Sequence, residues 1–302
     1  MANTELAPQT GNELPKQESQ EKEYSPLAEA IKGFRKNRLG VAGALVILIF
    51  ILLAVFAGII EPNGYNNQLL TNALKPPSAD HWLGTDDFGR DIFTRIIYGA
   101  RTSLWVGFFS VLGSIVVGSL LGIIAGFYGK FVDTVISRIF DIILAFPSIL
   151  LAIGIVAVLG PSLQNALIAI ATINIPRFGR LIRSRVLSLK EEEYVMAARS
   201  IGMRDSRILF RHILPNSVAP IIVQSSLGIG TAILDAAALG FLGLGAQPPT
   251  PEWGAMLADS AKYISQAPWT VFFPGLAIML TVLGFNLLGD GLRDALDPRM
   301  KN

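Results

Sequence analysis

The stretch "KEEEYVMAARSIGMRDSRILFRHILPN", Lys190 to Asn216, is charged and helix-favouring, while the chain on either side of it is mostly hydrocarbon. Ser188 followed by Glu191 has capping-box spacing, and strong helix formers continue to Ile201. Gly202 is a natural C-terminal stop, Asp205 suits the first turn of a second short helix, and Pro215 marks entry to the next apolar segment. The segment therefore predicts helix, sharp turn, helix. Ala197 and Ala198 leave room for a second surface to approach the bend, and Arg199, Arg204, Arg207 and Arg211 surround that approach with charge. The plainer reading is a solvated basic loop that only fixes topology.

Outward from this segment the chain is built for lipid. Of its 302 residues 51% are hydrophobic and only 16% charged, with a mean hydropathy of +0.50, which points to a polytopic membrane protein. A net charge of +2 is too small to suggest a nucleic-acid partner. The absence of cysteine excludes disulfides, thiolate nucleophiles and Cys-ligated metal, and His81 and His212 alone make a poor metal site.

Gly40 to Ile60 has no charged or polar side chain, and at about 1.5 Å per residue it crosses a core of about 30 Å. Further uncharged stretches run from Thr102 to Tyr128 and from Ile142 to Pro176, the latter divided by "LGPS" at Leu159 to Ser162. Ile213 to Leu234 and Ile264 to Gly289 complete six expected spans. No signal-peptide pattern precedes Gly40, so the first apolar segment is expected to be retained.

Lysine and arginine set the orientation. Lys32, Arg35, Lys36 and Arg38, then Arg177 to Arg211, then Arg293, Arg299 and Lys301 fall on one side of a six-span chain, which is expected to be cytoplasmic with both termini. The exception is Lys75, Arg90, Arg95 and Arg101, placed outside beside Glu61, Asp80, Asp86, Asp87 and Asp91. The expected organisation is a disordered tail 1–24, a basic lead-in helix 25–39, a first span 40–60, an extracytoplasmic loop 61–101, a five-helix core 102–290 containing the segment 188–215, and a tail 291–302.

The order Ala197, Ala198, three residues, Gly202, nine residues, His212, one residue, Leu214, Pro215 resembles the cytoplasmic signature of ATP-binding-cassette importer permeases, Glu-Ala-Ala, three residues, Gly, nine residues, Ile-x-Leu-Pro. Met196 stands where that signature has Glu, and His212 where it has Ile; Glu192 or Glu193, one turn earlier, is the carboxylate available as a replacement. "HWLGTDDFGRDIFTRIIYGARTSL", "LDAAALGFLGLGAQPPTPEWGAML" and "NLLGDGLRDALDPR" narrow the resemblance to the dipeptide and oligopeptide uptake branch, dipeptide-permease C type, over about residues 25 to 300.

The resemblance implies an all-α, six-span type I importer permease in a prokaryotic inner or plasma membrane. Its partners are then a second, homologous permease chain in a heterodimer, two ATP-binding subunits, an extracytoplasmic substrate-binding protein and the bilayer. This chain binds no cofactor: its one Gly-Lys pair, Gly129-Lys130, has Ile124 and Phe131 where a phosphate loop needs Gly and Ser or Thr, so ATP and Mg belong to the partner subunits. The implied ATPase-coupling residues are Glu193, Ala197, Ala198, Arg199, Gly202, Asp205, Arg207, His212, Leu214 and Pro215. Replacing Gly202 with a bulky residue is expected to abolish transport without blocking insertion.

Within the spans, Gly118, Gly122 and Gly126 form small-xxx-small repeats for close packing. Asp141 has Arg138 one turn earlier. Asp235 has no basic residue within a turn, so it must find a partner on another helix or face a watered path. Asn174, Gln224, Ser225 and Ser226 are the other path candidates, each equally able to make an interhelical hydrogen bond. Trp82 and Trp253 suit either an outer docking face or interfacial anchoring. Substrates implied by the branch are di- and oligopeptides, with glutathione and nickel or metal chelates as alternatives. A proton-coupled secondary transporter is the rival class; few intramembrane acids and no internal repeat speak against it.

Overall fold

A computed structural model describes residues 26–296. The tail 1–24, Arg299 and Lys301 lie outside the described residues. Eleven α-helices are present among these residues, with no strand beyond a single Thr85–Asp91 bridge.

The lead-in is helix α1 (Pro26–Lys36). Asn37 then interrupts the helix and caps the next one, α2 (Arg38–Ile60), its side-chain oxygen accepting from the Gly40 N–H at 2.9 Å. The same side chain donates to Asp294 at 2.8 Å, tying this corner to the last helix, α11 (Trp269–Leu296). Glycines set the spacing of α2 and α11: a Cβ on Gly43 would sit 2.6 Å from the Gly284 carbonyl, and one on Gly40 2.9 Å from the Gly291 Cα. The outward face of α2 carries Val55 and Ile59, both exposed, as a lipid-facing stripe requires.

Helix α3 (Ile92–Tyr128) begins ten residues before the expected second span, capped by Asp91, which accepts from the Thr94 N–H at 2.9 Å. At about 1.5 Å per residue it is roughly 55 Å long, far more than a bilayer core, so its first turns stand clear of the apolar zone. Its glycine stripe lies against α6 (Leu163–Leu189): a Cβ on Gly118 would meet the Ile175 carbonyl at 2.6 Å, and Gly122 abuts Gly179. Contact between α3 and α6 thus depends on the absence of side chains there.

The expected third span is broken. Residues Lys130–Ala145 (α4) and Ser148–Leu159 (α5) are bent through 94° at Phe146-Pro147. Pro147 lacks an N–H and disfavours helix in the residue before it, a boundary that the uniformly apolar composition conceals. The break at Gly160, with φ 95°, falls where "LGPS" places it, and Ser162 caps α6. Four helices are long and apolar enough to span, and a fifth if the bent pair counts as one. The remaining expected span, α6, is long enough but diluted by Gln164, Asn165, Asn174, Arg177 and Arg180, so six is a count of packed helical segments rather than of uniformly apolar ones.

Beyond α6 come α7 (Glu193–Ser200), α8 (Asp205–Ile208), a π-helical turn Leu209–Ile213, α9 (Leu214–Phe241) and α10 (Trp253–Ser260). Trp253 is fully buried: its indole N–H donates to the Ile96 carbonyl at 3.1 Å and its ring meets Phe50 edge-on at 5.5 Å. It is a core residue, not an interfacial anchor. Trp82 is 67% exposed and remains a surface residue.

Candidate functional site

One end of the bundle carries the elbow formed by α7 and α8. Ser188 and Leu189 finish α6 rather than starting a new helix, and the N-cap of α7 is Glu192, with no side-chain capping bond. The expected capping box is therefore absent, because the preceding helix continues through it. The bend itself is a Schellman motif: the Met203 N–H donates to the Ala198 carbonyl at 3.1 Å and the Gly202 N–H to Arg199 at 3.0 Å. Gly202 has φ +78°, with open space where a Cβ would stand, so the backbone conformation and not crowding requires glycine.

The two alanines part company. Ala198 is buried with Val195, Ile208 and Ile213 against Ile182 and Val186 of α6, so it fixes the elbow to its own protein. Ala197 is exposed, as are Glu193, Arg199, Asp205 and Arg207. Ile201 at 79% exposure and Phe210 at 70% add an apolar rim to this outward face. Leu214 and Pro215 follow the π-helical turn in a run that is helical from Asp205 to Phe241, and the turn falls just where Pro215 offers no N–H. His212 lies in the π-helical joint, its ring 6.0 Å from that of Tyr194 and its buried Nε2 without a partner. Phe127, near the end of α3, receives the Arg199 guanidinium at 5.5 Å.

The arginines counted as loop charges are largely helical. Arg177, Arg180, Arg183 and Arg185 all belong to α6. Arg183 forms a two-pronged pair with Asp133 of α4, and Arg180 reaches Asp141 at 2.6 Å, closer than the expected Arg138 at 3.6 Å. These bridges hold the bent α4 against α6.

Deeper in the bundle, Asp235 is half-buried on α9 and makes no ion pair within 4.0 Å among the described residues. Arg177 donates to Asn174 at 3.1 Å, a polar pair within α6. Arg177 was legible only as a topogenic charge; its position mid-way along α6 is the missed signal. Ser225 and Ser226 return their hydroxyls to the carbonyls of Ile221 and Ile222, and Gln224 has no hydrogen bond among the described residues.

At the opposite end, the loop after α2 folds into a cap that absorbs its own basic residues. Arg90 binds Asp86 at 2.6 Å, Arg95 approaches the same carboxylate at 3.5 Å, and Arg101 donates to the carbonyls of Ala54 and, at 2.9 Å, Val55, in the last two turns of α2. Charges tied up in this way bear differently on orientation than free loop lysines. Glu252 caps α10, accepting from the Gly254 and Ala255 N–H groups at 2.8 Å each; its burial still holds its carboxyl above the usual glutamate range.

The described residues thus form a helical bundle with candidate membrane spans and a bent, outward-facing elbow. A chain of the MetNI methionine ABC transporter, in an inward facing conformation, superimposes with a TM-score of 0.55 at 18% identity, over 68% of this chain and 97% of that one. Residues 118–302 match the family described as binding-protein-dependent transport system inner membrane component, and residues 25–77 match the N-terminal TM domain of oligopeptide transport permease C. Among curated relatives, the dipeptide transport system permease protein DppC of Alkalihalophilus pseudofirmus is 64% identical over 95% of each chain. The glutathione transport system permease protein GsiD of Pectobacterium atrosepticum is 49% identical over 92% of this chain and 93% of its own. The di/tripeptide transport system permease protein DppC of Pseudomonas aeruginosa is 49% identical over 92% and 94%. This chain belongs to the family of binding-protein-dependent importer permeases.

Proposed function

We propose that this chain, paired with a second permease, forms the path by which di- and oligopeptides released by an extracytoplasmic binding protein enter the cell. The 64% identity to a dipeptide permease along almost the whole chain supports a peptide cargo. Glutathione, itself a tripeptide, is the second reading, supported by the GsiD relatives at 49%.

In this reading ATP and Mg bind two partner subunits, and the elbow from Glu193 to Pro215 is the element that docks on one of them. The observation that carries this assignment is the division of the elbow into a buried face, Val195, Ala198 and Ile208, and an exposed face, Ala197, Ile201 and Arg207. The buried face makes the elbow move with α6; the exposed one is free to be gripped. Closure of the ATPases would then shift α6 and α9 together and bias the bundle between two states. The elbow and both termini lie in the cytoplasm, the cap outside, and residues 102–290 form the translocating core. Asp235, Asn174 and Gln224 line or brace the path.

Cross-linking tests the assignment. The chain contains no cysteine, so Ala197→Cys gives a unique thiol for reaction with single cysteines placed on the ATPase subunits. Nucleotide-dependent cross-linking is the expected result; labelling of this thiol from outside the cell would overturn the reading.

A further inference from the structure

The cap contains a charged cavity that neither the elbow nor the polar residues of α6 and α9 explain. It measures about 160 Å³ and lies between the first turns of α3, the end of α9, the Gln247–Thr250 loop and α10. Arg90, Arg95 and Asp259 line it, and the charges in and beside it can be paired off one by one. Asp86 is held by Arg90 at 2.6 Å and by the N–H groups of Phe88 and Arg90 at 2.9 Å each. Asp87 faces Lys262 at 3.9 Å. Two groups remain. Arg95, only 4% exposed, offers Asp86 its Nε at 3.5 Å, but its buried Nη1 has no acceptor. Asp259 is exposed on α10, lines the same cavity and makes no ion pair among the described residues.

Arg95 lines the cavity with donor capacity that Asp86, at 3.5 Å, does not use up, and a carboxylate is the acceptor that best matches a guanidinium. An unpaired carboxylate at the rim asks for the opposite, a cationic donor. One water needs about 10–15 Å³ of such space, so the cavity suits a small molecule rather than a folded partner. Gln247, Pro248 and Asp259 are exposed, so the cavity is reached from solvent.

We propose that this cavity is a subsite for the two free termini of a short zwitterionic peptide, the α-carboxylate on Arg95 and the α-ammonium on Asp259. The inference rests on the peptide-import reading and adds to it a place outside the apolar core where cargo is checked for both end charges. Binding here is weak, since tight capture would block onward movement.

The test uses the complete transporter, with its second permease and ATPases, in lipid nanodiscs without the binding protein. The probes are L-alanyl-L-alanine, its C-terminal amide and its N-acetyl derivative, followed by saturation-transfer NMR. Dialanine is expected to bind, with each end-blocked derivative at least tenfold weaker. Asp259→Asn is expected to weaken dialanine about tenfold and to erase the discrimination against the acetyl form while leaving that against the amide. Arg95→Gln should erase the discrimination against the amide; if removing this buried partner of Asp86 prevents folding, the ligand series and the Asp259 variant carry the test alone. Absence of dialanine binding, equal affinity for all three probes, or an Asp259→Asn variant indistinguishable from wild type overturns the subsite. Energised uptake of dialanine by the system with its binding protein separates the two levels: uptake with no end-charge dependence sinks the subsite alone, whereas no uptake sinks the peptide reading as well.

Discussion

The N–H of Met203 donates to the carbonyl of Ala198 across the bend of the elbow at 3.1 Å, and this bond closes only because Gly202 between them sits at φ +78°. Left-handed backbone costs a residue with a Cβ roughly 1–2 kcal/mol, least for Asn. Gly202→Val is therefore expected to lose most uptake with normal membrane insertion, and Gly202→Asn to keep a substantial part of it. Insertion is followed by protease accessibility and transport by labelled-peptide uptake. Equal activity in the two variants would show that the bend geometry does not matter.

Gly122 abuts Gly179 with no room for a Cβ, and Gly118 and Gly126 are crowded in the same way. Gly122→Leu must push α3 off α6, a penalty well above the 1–3 kcal/mol usual for overpacking, since backbone and not side chain has to yield. The variant is expected to insert but to elute as aggregate on gel filtration in detergent.

Glu252 gives a pH dependence with a definite sign. Burial raises its carboxyl in the folded protein, opposed in part by the Gly254 and Ala255 N–H groups and by Ser103. The folded state thus binds the proton more tightly than the unfolded one, so the stability from this group is full below the ordinary glutamate range and is lost as pH rises through the raised value. Between pH 5 and pH 8 the wild-type Tm is expected to fall by more than that of Glu252→Gln, measured by tryptophan fluorescence in detergent.

The Asp141 pairs with Arg138 and Arg180 are exposed, and Arg101, exposed as well, reaches from α3 to two carbonyls of α2. Asp141→Ala should cost about 0–1 kcal/mol. Arg101→Ala removes charge-assisted hydrogen bonds between α3 and α2, although the carbonyls keep their helical partners, and should cost about 1–2 kcal/mol. Thermal unfolding of the two variants side by side decides the ranking.

Asp235→Asn separates a path role from a structural one. A brace that only hydrogen-bonds survives as the amide, so an unchanged Tm with uptake reduced tenfold or more is the expected outcome. A large drop in Tm with parallel loss of uptake would assign the carboxylate to packing instead.

Apolar runs free of charge, such as Gly40 to Ile60, determined by themselves that this chain lives in lipid, because no water is available there to rescue a polar group. The elbow was legible for a similar reason: Gly202 at a helix end, with φ +78°, is a local backbone requirement written in a single residue. Tertiary structure alone decided the rest. It took Ala198 into the core and left Ala197 outside, turned the third span at Phe146-Pro147, and drew Arg177 into a helix and Arg90 and Arg95 into a folded cap. Those outcomes depend on which surfaces meet across distant segments, where a charge is cheap if a partner is waiting and expensive if none is, and local sequence carries no record of the partner.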